Sequence, residues 1–309
     1  FRTDDKVVGA YGEYTYTLDE KISLVAGFRA DYSSMFGWQV APRASFKYSF
    51  SDQTILRLTG GRGFRTPEVV TDNLGVLSSG RELKIADNLQ AEDAWTFGGN
   101  FTQYFRSGER ENNYFSFDYF RTSFNHKVVY DWDTDMDNVV IYDFRDATAG
   151  TNRAYTDTYQ FDLSIEPVER FTAIATFRYS NAKISMKDQG LVDAPMTSKY
   201  KAVLNLQYAL PLNRWMFDAT AQLNGPCTLP QFMGGGESEV YPMFFAQVTK
   251  KINLVDVYVG VENIFGYTQD NPIMNANDAF GKNFNAAMVW GPLMGRMVYA
   301  GMRLTLWKK

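Results

Sequence analysis

The sequence predicts an all-β fold, an antiparallel up-and-down sheet of the kind that closes into a transmembrane β-barrel. Three observations point there. Segment after segment alternates apolar and polar residues with the period of two that a strand requires. The links between segments alternate short and long, and aromatic residues gather where the apolar faces end.

The first segment, GAYGEYTYT (9–17), sets Tyr14 and Tyr16 against Glu13, and after the short LDE link KISLVAGFRADY (21–32) sets Ile22, Leu24, Phe28 and Tyr32 against Ser23, Arg29 and Asp31. PRASFKYSF (42–50) opposes Phe46 and Tyr48 to Arg43 and Lys47, and TILRLTGG (54–61) opposes Leu58 to Arg57. WTFGGNFTQYF (95–105) and YFSFDYF (114–120) flank the link RSGERE, with Phe117 opposite in parity to Asp118. TYQFDLSI (158–165) alternates Phe161 and Leu163 with Gln160 and Asp162, and FTAIATFRYS (171–180) carries Arg178 on its polar parity. KAVLNLQY (201–208) sets Leu204 and Leu206 against Lys201 and Asn205, and WMFDATAQLN (215–224) sets Phe217 against Asp218 and Gln222. FFAQVTKK (244–251), VDVYVGVEN (255–263) and MVYAGMRLTLW (297–307) complete the series, Val257 and Val259 alternating with Asp256 and Glu262. Together they make about thirteen strands, each near the roughly 9–11 residues that cross a bilayer at a tilt.

Tight links fall at 18–20, 51–53, 106–111, 167–170, 211–213 and 253–255, and long ones at 65–90, 129–152, 186–197, 227–242 and 270–294. The link at 33–38 is a short exception. A soluble sandwich has no reason to sort its loops by parity, whereas an outer-membrane barrel has tight turns at one end and long loops at the other. The apolar parity is therefore expected to face lipid and the polar parity a lumen. Tyr14, Tyr16, Tyr32, Tyr48, Phe50, Trp95, Tyr104, Tyr179, Tyr208 and Trp215 are assigned to the apolar parity near segment ends, where amphipathic rings settle at a headgroup boundary.

Composition agrees. The chain of 309 residues is 45% hydrophobic, 16% aromatic and 21% charged, with a net charge of −4 and a mean hydropathy of −0.31. This is not a disordered composition, and the near-balanced charge gives no reason to expect nucleic acid. No run of about 18 apolar residues is present to form a helical span. The opening FRTDDKVVGAYGEY has no basic-then-apolar leader, so the chain is expected to begin partway through a longer protein. The single cysteine, Cys227, permits no internal disulfide.

The stretch TILRLTGGRGFRTPEVVTDN (54–73), followed by LQAEDAWTFGGNFTQYF (89–105), resembles the barrel signature of TonB-dependent outer-membrane receptors, with Ala91 standing where the family phrase usually has proline. VGVENIFGYTQDNPI (259–273) and FGKNFNAAMVWGPLMGRMVYAGMRLTLW (280–307) resemble the closing strands of the same family, especially in Bacteroidetes bacteria. The resemblance implies that 1–309 is one domain, the C-terminal part of a barrel of about 22 strands. A separate plug and about nine strands would lie upstream.

By that resemblance the function is active import across the outer membrane of a Gram-negative bacterium, with no bond made or broken and no resident cofactor. The ligand is expected to be a scarce metal chelate such as a siderophore, haem or cobalamin. An oligosaccharide or peptide importer with a surface lipoprotein lid, a passive porin and an adhesin are the alternatives. Expected partners are outer-membrane lipid, the plug, the missing strands, the ligand and, through the missing N-terminal region, the TonB complex.

Other groups weigh less. His126, the sole histidine, reads as structural, and Asp131, Asp133, Asp135 and Asp137 in DWDTDMDN read as a solvated loop tip because the segment lacks the glycine and terminal glutamate of an EF-hand loop. No helix follows GGRGFR (60–65) or GGG (234–236), so neither is a phosphate cradle. Gly60 and Gly61 are expected to ease close packing, and Met233, Met243, Met274, Met288, Met294 and Met297 to pack on aromatics. Cys227 reads as an inert loop residue. Barrel mouths supply concave sites with aromatic anchors, so Arg65, Arg81, Lys84, Trp132, Tyr142 and Trp290 are the candidate ligand residues. Arg65 and Trp290 have packing of the loop bases as their competing role. Glu13, Arg29, Asp31, Arg43 and Arg57 are the candidate plug-facing lumen residues, since polar groups facing an occupied lumen need partners.

Overall fold

The computed structural model describes residues 4–107, 110–148 and 150–306. Alternation produces the strands it predicts: β1 (Val7–Leu18), β2 (Ile22–Ser33), β3 (Gly37–Ser49), β4 (Thr54–Arg65), β6 (Glu92–Ser107), β7 (Arg110–His126), β10 (Ala154–Val168), β11 (Phe171–Met186), β13 (Tyr200–Ala209), β14 (Trp215–Asn224), β15 (Tyr241–Ile252), β16 (Val255–Glu262) and β17 (Met297–Leu304). Each pairs antiparallel with the next in that order, and β12 (Gly190–Asp193) extends β11 beyond the main path. The remaining short strands, β5 (Glu82–Ile85), β8 (Val128–Asp131) and β9 (Asn138–Asp143), form a separate sheet of order β5-β9-β8.

Tight and long connections alternate as expected. At the first hairpin both Asp19 and Glu20 take positive φ, and Lys21 N–H donates to Leu18 C=O at 3.0 Å, a turn whose twist matches that of the flanking strands. Arg170, Leu212 and Asn253 supply positive φ at later turns on the same end. The turn expected over 106–111 is narrower, because β6 runs to Ser107 and β7 resumes at Arg110; residues 108–109 lie outside the described residues.

The register settles the faces. Asn100 pairs with Asp118, Asp118 with Gln160, Gln160 with Arg178, and Arg178 with Lys201. One polar face thus runs across the sheet, and it carries Glu13, Arg29, Asp31, Arg43 and Arg57 as well. On the other face Phe101, Phe117, Phe161 and Phe177 form a row, with Tyr119, Tyr159 and Tyr179 one rung toward the long loops and Arg121, Asp157 and Asn181 one rung further. Tyr119 O–H donates to Asp157 at 3.0 Å, and Arg121 lies 3.1 Å from the same carboxylate. The passage from phenylalanine through tyrosine to charge is what a bilayer boundary selects, because the tyrosine body stays apolar while its hydroxyl reaches polar surroundings.

A second belt lies at the tight-turn end, where Phe171 meets Tyr208 and Lys250 lies 4.9 Å from the Trp215 ring. From Phe171 to Tyr179 is about 27 Å of strand, which at the usual tilt covers about 20 Å of an apolar band about 25 Å tall. Tyr104 departs from the expected placement. It pairs with Tyr114 and shares the parity of Asn100, so it lies on the polar face.

Glycines let the wall pack closely. A Cβ on Gly60 would come 2.8 Å from the Phe97 ring. In β16 and β17, Tyr258 lies over Gly301 and Tyr299 over Gly260, and Tyr299 O–H donates to Gln247 at 2.9 Å.

Candidate functional site at the loop end

The apolar cores lie in the loops rather than in the wall. Phe117, Phe161, Phe177 and Leu204 on the outer face are all more than 40% exposed, whereas Tyr142, Phe144, Val139 and Ile141 are at 2% or less. One loop core gathers Val129, Tyr142, Phe144, Ile184 and Met186, and the other Val76, Trp132, Val139, Ile141 and Met288. The site is therefore built on a packed scaffold.

The segment DWDTDMDN binds that scaffold together. Asp131, fully buried, accepts from the backbone N–H groups of Asp133 and Thr134, from Thr134 Oγ1 at 2.7 Å and from Tyr142 O–H at 3.0 Å. Asp133 accepts from Phe232 N–H, Asp135 lies 3.1 Å from Lys84 Nζ, and Asp137 lies 3.2 Å from Lys282 Nζ. These carboxylates do not converge on one point, and the segment is the solvated tip expected only at Thr134, Met136 and Asp137, its two ends being buried. It clamps three neighbouring loops. Three hydrogen bonds, the first from the Asp137 backbone N–H, then from Asn138 and Lys84, pull the Asp135 pKa down to about 2.

The six candidate ligand residues fall in different places. Arg65 sits at a loop base, 2.5 Å from Glu92 and 3.1 Å from Asp72, the packing role foreseen for it. Arg81 is buried, donates from Nη1 to Trp132 C=O at 2.6 Å and lies 4.5 Å from the Phe232 ring; burial lowers its pKa against the neighbouring aspartates. Lys84 is the exposed partner of Asp135. Tyr142 is sealed within the loop core, where it accepts from Lys187 N–H at 3.0 Å, and burial raises its pKa. Trp132 is 6% exposed and stacks on Phe232 at 5.7 Å.

Trp132 and Trp290 nevertheless line cavities. One, of about 320 Å³, lies between loops and is bordered by Trp132, Tyr130, Met186, Met196 and Met288. The other, of about 290 Å³, joins Arg178, Lys201 and Asn224 of the polar face to Cys227, Ser238, Val289 and Trp290 of the loops, with Tyr241 beside them. Met196 and Val289 border both. The loops thus close over the polar face, which makes it the inner one. Arg178 and Lys201 are not among the candidates chosen from sequence, although both stand on its polar parity. The missing signal is register, which places them side by side.

The five candidate lumen residues find partners within the wall. Arg29 and Asp31 pair at 2.8 Å, Arg43 pairs with Glu13, and Arg57 donates to Asn100 at 3.1 Å. His126 Nδ1 lies 2.6 Å from Asp143, a carboxylate that also caps Arg145 N–H. Cys227 is buried, with Sγ 3.4 Å from Ser238 Oγ, and desolvation raises the thiol pKa.

A family model described as TonB dependent receptor-like, beta-barrel, matches residues 1–281. Among solved structures of similar fold are the ferric enterobactin receptor PfeA of Pseudomonas aeruginosa (13% identity, TM-score 0.66, 96% of this chain and 44% of that one) and the siderophore receptor PirA of the same organism (15%, 0.62, 96% and 48%). The FrpB iron transporter of Neisseria meningitidis is another (14%, 0.65, 96% and 45%). The chain spans less than half the length of these proteins. No curated protein matches the sequence.

Proposed function

Because the chain belongs to the TonB-dependent receptor β-barrel family, we propose that it forms the wall and outer mouth of a receptor that captures a scarce ligand and imports it with energy transmitted by TonB. Barrels of this family are outer-membrane proteins of Gram-negative bacteria, and that is the location proposed here. The observation that carries the reading is the cavity joining Arg178, Lys201 and Asn224 of the inner face to loop residues Val289 and Trp290. A ligand held there touches wall and loops together. Such a contact can report occupancy to a plug seated against the inner face, where Glu13, Arg29, Asp31, Arg43 and Arg57 stand.

A metal chelate is the proposed cargo, supported by the ferric enterobactin, siderophore and iron proteins that share the fold. A second reading, an oligosaccharide, has one specific support: Tyr241 and Trp290, with ring centroids 6.0 Å apart, both line the cavity and offer faces on which a sugar ring can lie. Such an importer would act with a surface lipoprotein. Deleting the gene and measuring uptake of labelled ferric chelates under iron limitation tests the choice. Loss of uptake of one chelate is expected. Unchanged iron uptake with failure to grow on one polysaccharide would overturn the chelate reading.

A further inference from the structure

We propose that the cavity beside Trp290 is an oxyanion subsite, in which Arg178, Lys201 and Asn224 hold a carboxylate or phosphate group of the ligand. The proposal rests on the transport reading and adds the charge of the cargo.

Arg178 and Lys201 stand directly opposite each other on β11 and β13, both facing inward. Cross-strand neighbours have Cβ atoms about 5 Å apart, and like charges in that relation are destabilising. Among the described residues no carboxylate answers them. Asp162, two positions along from Gln160, already accepts from Thr176 Oγ1 at 2.6 Å and Gln160 Nε2 at 2.9 Å. Asp193 and Glu237 are held by Lys183 and Lys199. Among the described residues, neither the Arg178 nor the Lys201 side chain has an ionic or hydrogen-bonding partner.

Asn224 supplies an independent observation. It pairs with Lys201 on the next strand and is 8% exposed. Its Oδ1 accepts from Gln222 Nε2 at 2.7 Å, but its buried Nδ2 has no acceptor. Buried donors are rarely left unpaired, and each one asks what is to occupy the space beside it. Arginine, lysine and an amide nitrogen present donors only, and an ionised carboxylate or phosphate turns charged acceptor oxygens toward them. Ser180 adds a hydroxyl to the same lining, whereas the Ser198 hydroxyl is already given to the Tyr200 and Gly225 carbonyls at 3.0 and 3.1 Å. A neutral sugar would leave both cations uncompensated. An anionic group neutralises them and satisfies the amide.

The complete receptor, purified in detergent, should be titrated calorimetrically with citrate, with inorganic phosphate and with glucose. At least one anion should bind, more weakly as salt rises, and glucose should not. Arg178→Gln together with Lys201→Gln should weaken anion binding by about tenfold or more, while Lys47→Gln, which removes one positive charge elsewhere on the inner face, should leave it unaltered. Asn224→Asp, which keeps the side-chain shape, places a carboxylate in the cavity and should abolish anion binding by itself, so the answer does not depend on the double variant folding. Three results would each overturn the subsite: no anion bound, because a carboxylate from the rest of the chain fills it or for any other reason; glucose bound in preference; or anion affinity indifferent to these changes. Anion binding that responds as expected supports the subsite even where gene deletion leaves ferric-chelate uptake intact, a result that removes only the transport reading.

Discussion

Asp131 holds the outer mouth together through a carboxylate with no exposed surface, whose oxygens take four donors from its own loop and from Tyr142. Removing it strands a buried tyrosine hydroxyl and two backbone N–H groups. Asp131→Ala should cost the loop assembly about 3 kcal/mol, read as faster hydrogen exchange across 128–143 with the wall strands unchanged. Asp135 gives a pH dependence. Its folded pKa, about 2, lies below the ordinary 3.8, so its contribution is complete above about pH 4 and disappears as pH falls through about 2. Limited pepsin digestion should spare the 131–143 loop at pH 4 and cut it near pH 2, whereas Asp135→Asn should be cut alike at both. Neither role was legible from sequence. DWDTDMDN shows alternating acids, but which ones are buried depends on Tyr142, Phe232 and Lys84 from other parts of the chain.

Single strands are where the sequence speaks most plainly, since a period of two is local and each wall strand carries its own copy. On β13, Leu204 lies midway between Tyr200 and Tyr208, paired with Ala175 and Ala221 on the outer face. That is the depth at which a charge costs most. Leu204→Arg should destabilise the assembled barrel by about 2–4 kcal/mol, while Phe217→Arg, level with Tyr208 near the boundary, should cost about 0–1 kcal/mol. Asn205→Ala should matter little, because it removes one inner-face bond, to Thr220 Oγ1. Unfolding in bilayers checks all three, and equal costs for Leu204 and Asn205 would refute the assignment of faces. The short strands β5, β8 and β9 escaped the sequence reading for a physical reason. β8 and β9 are buried on both sides, so alternation is lost there, while β5 alternates as Glu82, Leu83, Lys84 and Ile85 but over only four residues, and it pairs in parallel with β9 from a different loop.

At the scale of the whole molecule the sheet has two unfinished edges, because among the described residues β1 pairs only with β2 and β17 only with β16. An open edge at hydrocarbon depth is prohibitively costly. Insertion therefore requires strands from beyond these edges, and topology must be tested in the complete receptor. The two ends of the sheet differ in kind. One carries tight turns with positive-φ residues, and the other carries loops with cores of their own, stitched by the 131–138 segment. Short turns belong to the periplasmic side of such barrels and long loops to the outside. With Cys227 replaced by serine, Asn275→Cys in the 263–296 loop should react with an impermeant maleimide on intact cells, and Asp52→Cys, in the tight turn between β3 and β4, should react only after the outer membrane is opened. Asn275 is exposed, takes positive φ in its turn and lies outside both loop cores, so labelling there reports side rather than folding. The reverse pattern, with position 52 labelled on intact cells and position 275 protected, would place the Arg178–Lys201 cavity in the periplasm and remove it from any role in capturing an external ligand.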